Sequence, residues 1–215
     1  MLSFYFIRHA ESEANRDHSI ICGRSDHMPL SAQGRIQKEL LGERLKQENL
    51  QFDHFYSSLS VRALDTGKAV VKALGVDEEM IQITDQLVEQ SKGDWEGKVR
   101  AEMYDMSVQR QLEKDSYTFY PPGGESQQAA EQRMINWLEA TRQKHEGQSA
   151  NIAAFSHGFA IKSMLAKLLK ADTESVFSMM IHNTSLTVLQ WNGQRWRLER
   201  INDFAHLQGT PVIGY

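Results

Sequence analysis

The chain has 215 residues, of which 40% are hydrophobic and 24% charged, and its formal net charge is −4. This length allows one sizeable domain and is too short for two typical ones. The acidic balance argues against a nucleic-acid or membrane partner held by bulk electrostatics, so any anionic ligand needs a locally basic site. The single cysteine, Cys22, excludes an intrachain disulfide and a thiolate metal cluster, and points to a reducing cytoplasm.

The N-terminal apolar run, residues 2–7, is too short for the core of a signal peptide and lacks a preceding basic region. No later segment approaches the roughly 20 apolar residues that a membrane helix needs. We therefore expect a soluble, unprocessed cytoplasmic protein that binds neither membranes nor nucleic acids.

Short apolar runs alternate with longer segments of helical periodicity along the chain. In chain order the patterns predict a strand at 2–7, a helix at 33–48, a strand at 52–56, a helix at 61–74, loops at 93–120, a helix at 126–144, a strand at 151–155 and a helix at 159–169. Ser126 is a candidate N-cap. Residues 184–191 and 195–201 alternate around Asn192-Gly193, which predicts a tight β-hairpin.

Alternating strands and helices predict an α/β fold, a three-layer α/β/α sandwich whose central sheet is mostly parallel. The C-terminal hairpin adds one antiparallel edge strand. We expect one domain over residues 1–215, with residues about 93–125 forming a cap or loop region over the site.

Two histidines follow directly after predicted buried strands, His9 in Arg8-His9 and His157 in Ser156-His157-Gly158. The carboxyl ends of parallel strands are where α/β proteins bind ligands, so both histidines can face one crevice. A histidine with an adjacent arginine suits an imidazole nucleophile acting on a phosphate. Taken alone, each motif has a structural reading, since a lone Arg-His pair is often a surface feature, His157 can be a buried histidine, and Gly158 a helix-start glycine.

Phosphoryl transfer also needs cations around the phosphoryl oxygens and a proton donor for the leaving group. Arg62 begins the helix after the second strand and can join Arg8 as a bidentate clamp, although on its own it can equally be a solvated helix residue. Glu89 follows a short apolar stretch and precedes a glycine-containing loop, so it can overhang the site as the proton donor.

Further residues stand in a fixed order around these groups. They are Arg8-His9 with Asn15, Ser57 and Arg62-Ala63 with Thr66, Glu89 with Gly93, Trp95 and Glu96-Gly97, then Gly124-Glu125-Ser126, and finally Ser156-His157-Gly158. This order resembles the histidine phosphatase superfamily, in the branch that includes cofactor-dependent phosphoglycerate mutases, over residues 4 to about 204.

The resemblance implies a phosphoric monoester hydrolase in which His9 is transiently phosphorylated and Glu89 acts first as an acid and then as a base. It also implies that Arg8, Arg62 and His157 bind the phosphoryl group and that Asn15 lies near it. Two further contacts are expected from Gly158, whose backbone N–H an oxyanion can approach closely, and from Arg24, which follows the first motif and would contact an anionic substrate. No metal or other cofactor is implied.

We call the loop that carries Glu89 the acid loop. The segment that follows this loop differs between mutases and phosphatases of the family. The mutase branch has a longer insertion rich in arginine and lysine there, whereas residues 98–120 of this chain are short and carry as cations only Lys98, Arg100, Arg110 and Lys114. The sequence therefore favours a phosphatase for small phosphorylated metabolites.

Several alternatives remain open at this point. They are a phosphoglycerate mutase and a non-catalytic phospholigand-binding protein. A non-catalytic protein would be free to lose His9 or Glu89, whereas this chain has both. The Gly124-Glu125-Ser126 loop is either a substrate contact or only a loop and helix cap. An exposed edge strand would permit a homodimer.

Overall fold

The computed structural model describes residues 1–209. The elements in chain order are β1 (Leu2–Arg8), α1 (Glu13–Arg16), α2 (Ala32–Gln47), β2 (His54–Ser58), α3 (Val61–Ala73), β3 (Ile81–Thr84), α4 (Arg100–Met103), α5 (Met106–Lys114), α6 (Gln127–Lys144), β4 (Ala150–Ser156), α7 (Gly158–Leu168), α8 (Ser175–Ser178), β5 (Leu186–Trp191) and β6 (Trp196–Asp203). The last six residues of the predicted domain lie outside this range. Among the residues described, no helix is long and apolar enough to cross a membrane.

The strands form one sheet in the order β3-β2-β4-β1-β5-β6. The four strands β3, β2, β4 and β1 are mutually parallel, β5 runs antiparallel to β1, and β6 runs antiparallel to β5. The predicted α/β fold with a mostly parallel sheet and a C-terminal hairpin is confirmed. The strand that opposes the others is β5, one place in from the edge, and β6 forms the edge itself.

Each face of the sheet carries its own apolar cluster, because successive side chains of a strand point to opposite faces. Ile7 and Phe155 pack with residues of α2 and α3 on one face, among them Leu41 and Val70. The opposite cluster joins the sheet to α6 and α7 and contains Phe4, Phe6, Ile152, Ala154, Met134, Trp137, Leu138, Ile161, Met164 and Leu165. The sheet is therefore buried between two helical layers.

Most helix and strand predictions agree with the structure to within about two residues, and Ser126 caps α6 by accepting a hydrogen bond from Ala129 N. Several features were not predicted, among them the short helices α1 and α8. Strand β3 is only four residues long and lies at an edge, where Ile83 is exposed. The region predicted as loops, residues 93–120, contains helices α4 and α5. The predicted tight turn between β5 and β6 is a connection of four residues, 192–195, with Gly193 at φ 92°.

Candidate active site

The two histidines meet because their strands are neighbours. Arg8 of β1 pairs with Ser156 of β4, and His9 N donates to Ser156 O at 2.9 Å. The ring centroids of His9 and His157 are 5.0 Å apart, with their planes at 59°. The carboxyl ends of two parallel strands thus bring together residues almost 150 positions apart, as the motif pattern predicted.

His9 is buried, and its ring is held in one tautomer. Its Nδ1 lies 2.7 Å from Ala10 O, and Arg62 Nε donates to its Nε2 at 3.2 Å. The carbonyl requires the ring proton on Nδ1, which leaves the lone pair on Nε2. Burial, reinforced by the charges of Arg62 and Arg8, lowers the pKa of His9 well below its ordinary value. Thr66 fixes the loop, because its hydroxyl accepts from Ala10 N at 3.0 Å.

Arg62 is only 3% exposed, and its guanidinium has several hydrogen-bond acceptors around it. Besides the bond to His9, its guanidinium donates to Ser25 O at 3.0 Å, to Arg24 O at 2.8 Å and to His157 Nδ1 at 3.2 Å. Desolvation lowers the pKa of this arginine, although it stays a cation. Arg62 therefore connects the loop after α1 to both histidines.

His157 lies one layer behind the cleft surface. Its Nδ1 accepts from Arg62, and its Nε2 is 2.9 Å from Ser58 Oγ, so both ring nitrogens have partners within the protein. Burial is the main cause that holds the pKa of His157 well below its ordinary value. In this structure the neutral ring accepts from Arg62 and does not itself line the cleft, and its expected contact with a phosphoryl group stays a prediction.

Arg8 lines the cleft although it is only 4% exposed. Its Nη1 donates to Ile181 O at 2.6 Å, and burial lowers its pKa to about 10. Gly158 packs against the guanidinium, since a Cβ there would lie 3.2 Å from Arg8 Nε. The glycine expected to let an oxyanion approach therefore also makes room for this arginine.

Glu89 lies in the cleft at the N-terminus of α7. Its Oε1 accepts from Gln90 N at 2.9 Å and from Ala160 N at 3.0 Å, and its Oε2 accepts from Phe159 N at 3.1 Å. These bonds fix the direction in which Glu89 faces the cleft.

Arg133 of α6 anchors the backbone that carries Glu89. It donates to Gln86 O at 2.7 Å, to Val88 O at 2.9 Å and to Glu89 O at 3.5 Å, and it forms two 2.9 Å bonds with the Glu125 carboxylate. The Gly124-Glu125-Ser126 loop is thus explained by an ion pair and a helix cap. Sequence reasoning missed Arg133, whose eight-residue spacing from Glu125 spans two helical turns.

Asn15 lines the cleft, with its Oδ1 accepting from Ser12 N at 3.0 Å. Arg24, the expected contact to an anionic substrate, does not line the cleft. Its Nε donates to Glu89 O at 3.2 Å, and its Nη2 lies 3.5 Å from Glu125 Oε2. The carboxylate of Glu125 thus holds this side chain near the loop that carries Glu89, and contact of Arg24 with an anionic substrate stays a prediction.

The cleft has a volume of about 450 Å³. Among the described residues, its charged lining consists of the cations Arg8, Arg62, Lys92, Arg100 and Lys162 and the carboxylates of Asp17 and Glu89. A locally basic site thus exists on a chain of net negative charge, as an anionic ligand requires. Within the same part of the chain, no group of three or more His, Cys, Asp and Glu side chains could hold a metal ion.

Two of these cations were missed from the sequence. Lys92 donates to Gln90 Oε1 at 2.6 Å and lies over the Phe159 ring, and burial lowers its pKa to about 8. Lys162 follows Gly158 by four residues on α7, which places both on one helix face. This spacing is the signal that could have revealed Lys162.

Comparison with known proteins agrees with this geometry. The family model of the histidine phosphatase superfamily (branch 1) matches residues 4–204. Phosphoserine phosphatase 1 of Hydrogenobacter thermophilus is 29% identical, over 96% of this chain and 95% of its own length. A probable phosphoglycerate mutase of Salmonella choleraesuis is 28% identical, over 99% and 98% of the two chains.

Solved structures give the same result. Bacillus stearothermophilus YhfR superimposes with a TM-score of 0.82 at 26% identity, covering 96% of this chain and 100% of the other. A mycobacterial glucosyl-3-phosphoglycerate phosphatase has a TM-score of 0.77 at 27% identity, covering 93% and 98%. The chain therefore belongs to branch 1 of the histidine phosphatase superfamily and is by class a phosphoric monoester hydrolase.

Proposed function

We propose that this protein hydrolyses small phosphomonoesters without a metal ion, through a phosphohistidine intermediate on His9. The observation that carries the proposal is the tautomer of His9, whose Nδ1 is bonded to Ala10 O at 2.7 Å while Nε2 keeps its lone pair. A neutral imidazole with a fixed, unprotonated nitrogen is a ready nucleophile near neutral pH.

In the first step, the Nε2–P bond forms as the ester P–O bond breaks in line. Arg8 and Arg62 bind the phosphoryl oxygens, and the hydrogen bond that Arg62 Nε–H donates to His9 Nε2 shifts to one of those oxygens, with the arginine keeping its proton. The leaving alkoxide takes a proton from Glu89. Glu89 enters this step as the protonated acid and leaves it as the carboxylate.

In the second step, a water molecule gives its proton to the Glu89 carboxylate and attacks phosphorus. The Nε2–P bond breaks, inorganic phosphate leaves, and neutral His9 is regenerated. Three backbone N–H donors hold the Glu89 carboxylate at the cleft, which supports its role as the base in this step. Positive charge from the arginines supplies the electrostatic stabilisation.

The test is hydrolysis of p-nitrophenyl phosphate in EDTA by the wild type and by His9→Ala, with His27→Ala, an exposed histidine outside the cleft, as the matched control. We expect turnover by the wild type and the control and about a thousandfold loss in His9→Ala. Rapid quenching with labelled substrate should trap an acid-labile, base-stable phosphoprotein. Undiminished activity of folded His9→Ala protein refutes the mechanism.

A mutase is the second candidate, since relatives named as phosphoglycerate mutases are as similar to this chain as the phosphatases. Interconversion of 2- and 3-phosphoglycerate faster than phosphate release, and dependent on 2,3-bisphosphoglycerate, would favour it. We expect phosphate release to dominate.

A further inference from the structure

Lys162 is a cation in the cleft that the proposed hydrolysis does not use. It is half-buried, and within residues 1–209 its ammonium group has no hydrogen bond or ion pair. Its electrostatic neighbours are Arg8, which repels it, and Glu89, which attracts it. Lysine side chains normally extend their ammonium groups into water or pair them, so this position needs an explanation.

The surroundings of Lys162 are unfavourable for a cation. Burial, followed by repulsion from Arg8, lowers the pKa of Lys162. An anion bound between α7 and the cleft floor would remove both penalties at once, because an opposite charge within a few ångströms favours the charged form.

The charge balance of the cleft indicates how much anion it can accept. Cationic side chains outnumber the two carboxylates of its lining by more than the charge of one phosphate dianion. Arg8 and Arg62 are assigned to that dianion, and Lys92 donates to Gln90 Oε1 beside the Phe159 ring. Arg100 donates to His18 O at 3.1 Å, so Lys162 is the cation of this lining that has neither a hydrogen bond nor an ion pair among the described residues.

We propose that Lys162 binds a second anionic group of the substrate, so that the protein selects compact phosphomonoesters carrying a carboxylate or a second phosphate. This inference rests on the proposed function, because it takes the phosphoryl group to lie between Arg8 and Arg62. The lysine is a specificity-determining residue and takes no part in bond making.

Helix geometry sets the length of such a substrate. Gly158 packs on Arg8, and Lys162 lies four residues further along α7, about 5–6 Å along the helix. A chain of two or three carbons between the two anionic groups matches this spacing. Phe159, which also lines the cleft, leaves an apolar surface for the carbons.

A matched series of esters tests the inference. Propyl phosphate, 3-phosphooxypropionate and propane-1,3-diyl bisphosphate share the same carbon chain and differ in the far group. We expect kcat/KM for the two anionic-tailed esters to exceed that for propyl phosphate by about tenfold in 50 mM salt, and the preference to shrink in 0.5 M salt. Comparison of the two anionic esters identifies which tail the site takes.

Lys162→Met should bring the preference close to one, and Lys162→Arg should retain it. Lys46→Met, which removes the same charge from an exposed position outside the cleft, should keep the wild-type preference. Equal kcat/KM for all esters in the wild type, or an unchanged preference in folded Lys162→Met protein, overturns the inference.

Binding separates this inference from the proposed function. Calorimetric titration of His9→Ala protein with the same esters measures their relative Kd values without turnover. Tighter binding of the anionic-tailed esters that is lost on adding Lys162→Met supports the second site even if no ester is hydrolysed. Equal Kd values refute the second site even if hydrolysis through His9 is demonstrated.

Discussion

Arg133→Met tests whether the clamp on the acid loop stabilises both the fold and the site. The guanidinium forms five hydrogen bonds, two of them to Glu125, and the side chains of this pair are only 12% and 13% exposed. Removing one partner of a buried ion pair leaves the other uncompensated, which costs about 3–5 kcal/mol. For a chain of this size that corresponds to a fall in Tm of about 6–20 °C.

The assay is urea unfolding followed by circular dichroism, with phosphomonoesterase activity measured on the same samples. We expect kcat to fall with the stability, because Gln86, Val88 and Glu89 lose the group that orders their carbonyls. Arg142→Met is the matched control on α6. Its acidic partners Glu139 and Glu146 are 39% and 71% exposed, so about 1 kcal/mol or less should be lost.

A double-mutant cycle with Glu125→Gln isolates the ion pair from the carbonyl bonds. A coupling energy of about 1–3 kcal/mol is expected between Arg133 and Glu125. If Arg133→Met loses no more stability than Arg142→Met, or if the coupling is near zero, the clamp does not act as described.

Three further outcomes follow from the same contacts. Gly158→Ala should keep or raise the midpoint of urea unfolding, since alanine suits a helix better than glycine. Its kcat/KM should fall because the added Cβ displaces Arg8 by a few tenths of an ångström. Unchanged kinetics would contradict the packing of Gly158 on Arg8. Thr66→Val should lower the free energy of unfolding by about 1–3 kcal/mol and remove most activity, because Ala10 N–H loses its acceptor. Thr66→Ser should retain both stability and activity, and equal loss in the two variants would contradict the role of the hydroxyl. Burial lowers the pKa of His206 to about 4, below its value in the unfolded chain. Its contribution to the free energy of unfolding is therefore present above about pH 6.5 and is lost as the pH falls from there toward 4. Urea midpoints across this range should fall less steeply in His206→Asn than in the wild type, and parallel profiles would contradict the assignment.

Much of the fold could be predicted because its determinants are local. An apolar run bounded by polar residues identifies β1 and β4, and a 3.6-residue stripe identifies α2, α3, α6 and α7. Strand β3 escaped prediction since it is short, lies at an edge and leaves Ile83 exposed, so it carries no run of buried residues. Helix α5 buries no residue, so no stripe of buried apolar residues marks it in the sequence.

The candidate site was likewise predictable only in part. The sequence by itself predicted the groups of the candidate site, with Arg8 and His9 at the end of β1, Arg62 at the start of α3 and Glu89 in the loop region after β3. Strand order and register are properties of the whole sheet, so only the tertiary structure decided that His9 and His157 lie 5.0 Å apart.

Side-chain direction was also decided only in three dimensions. Arg24 turns toward Glu125 and not into the cleft, and His157 orients Arg62 from behind the cleft surface. Lys162 faces the cleft because α7 begins at Gly158, beside Arg8. For Arg24 and His157 the physical reason is that a polar side chain follows hydrogen-bond partners and charges from elements distant in the chain, whereas the direction of Lys162 is set by where α7 begins.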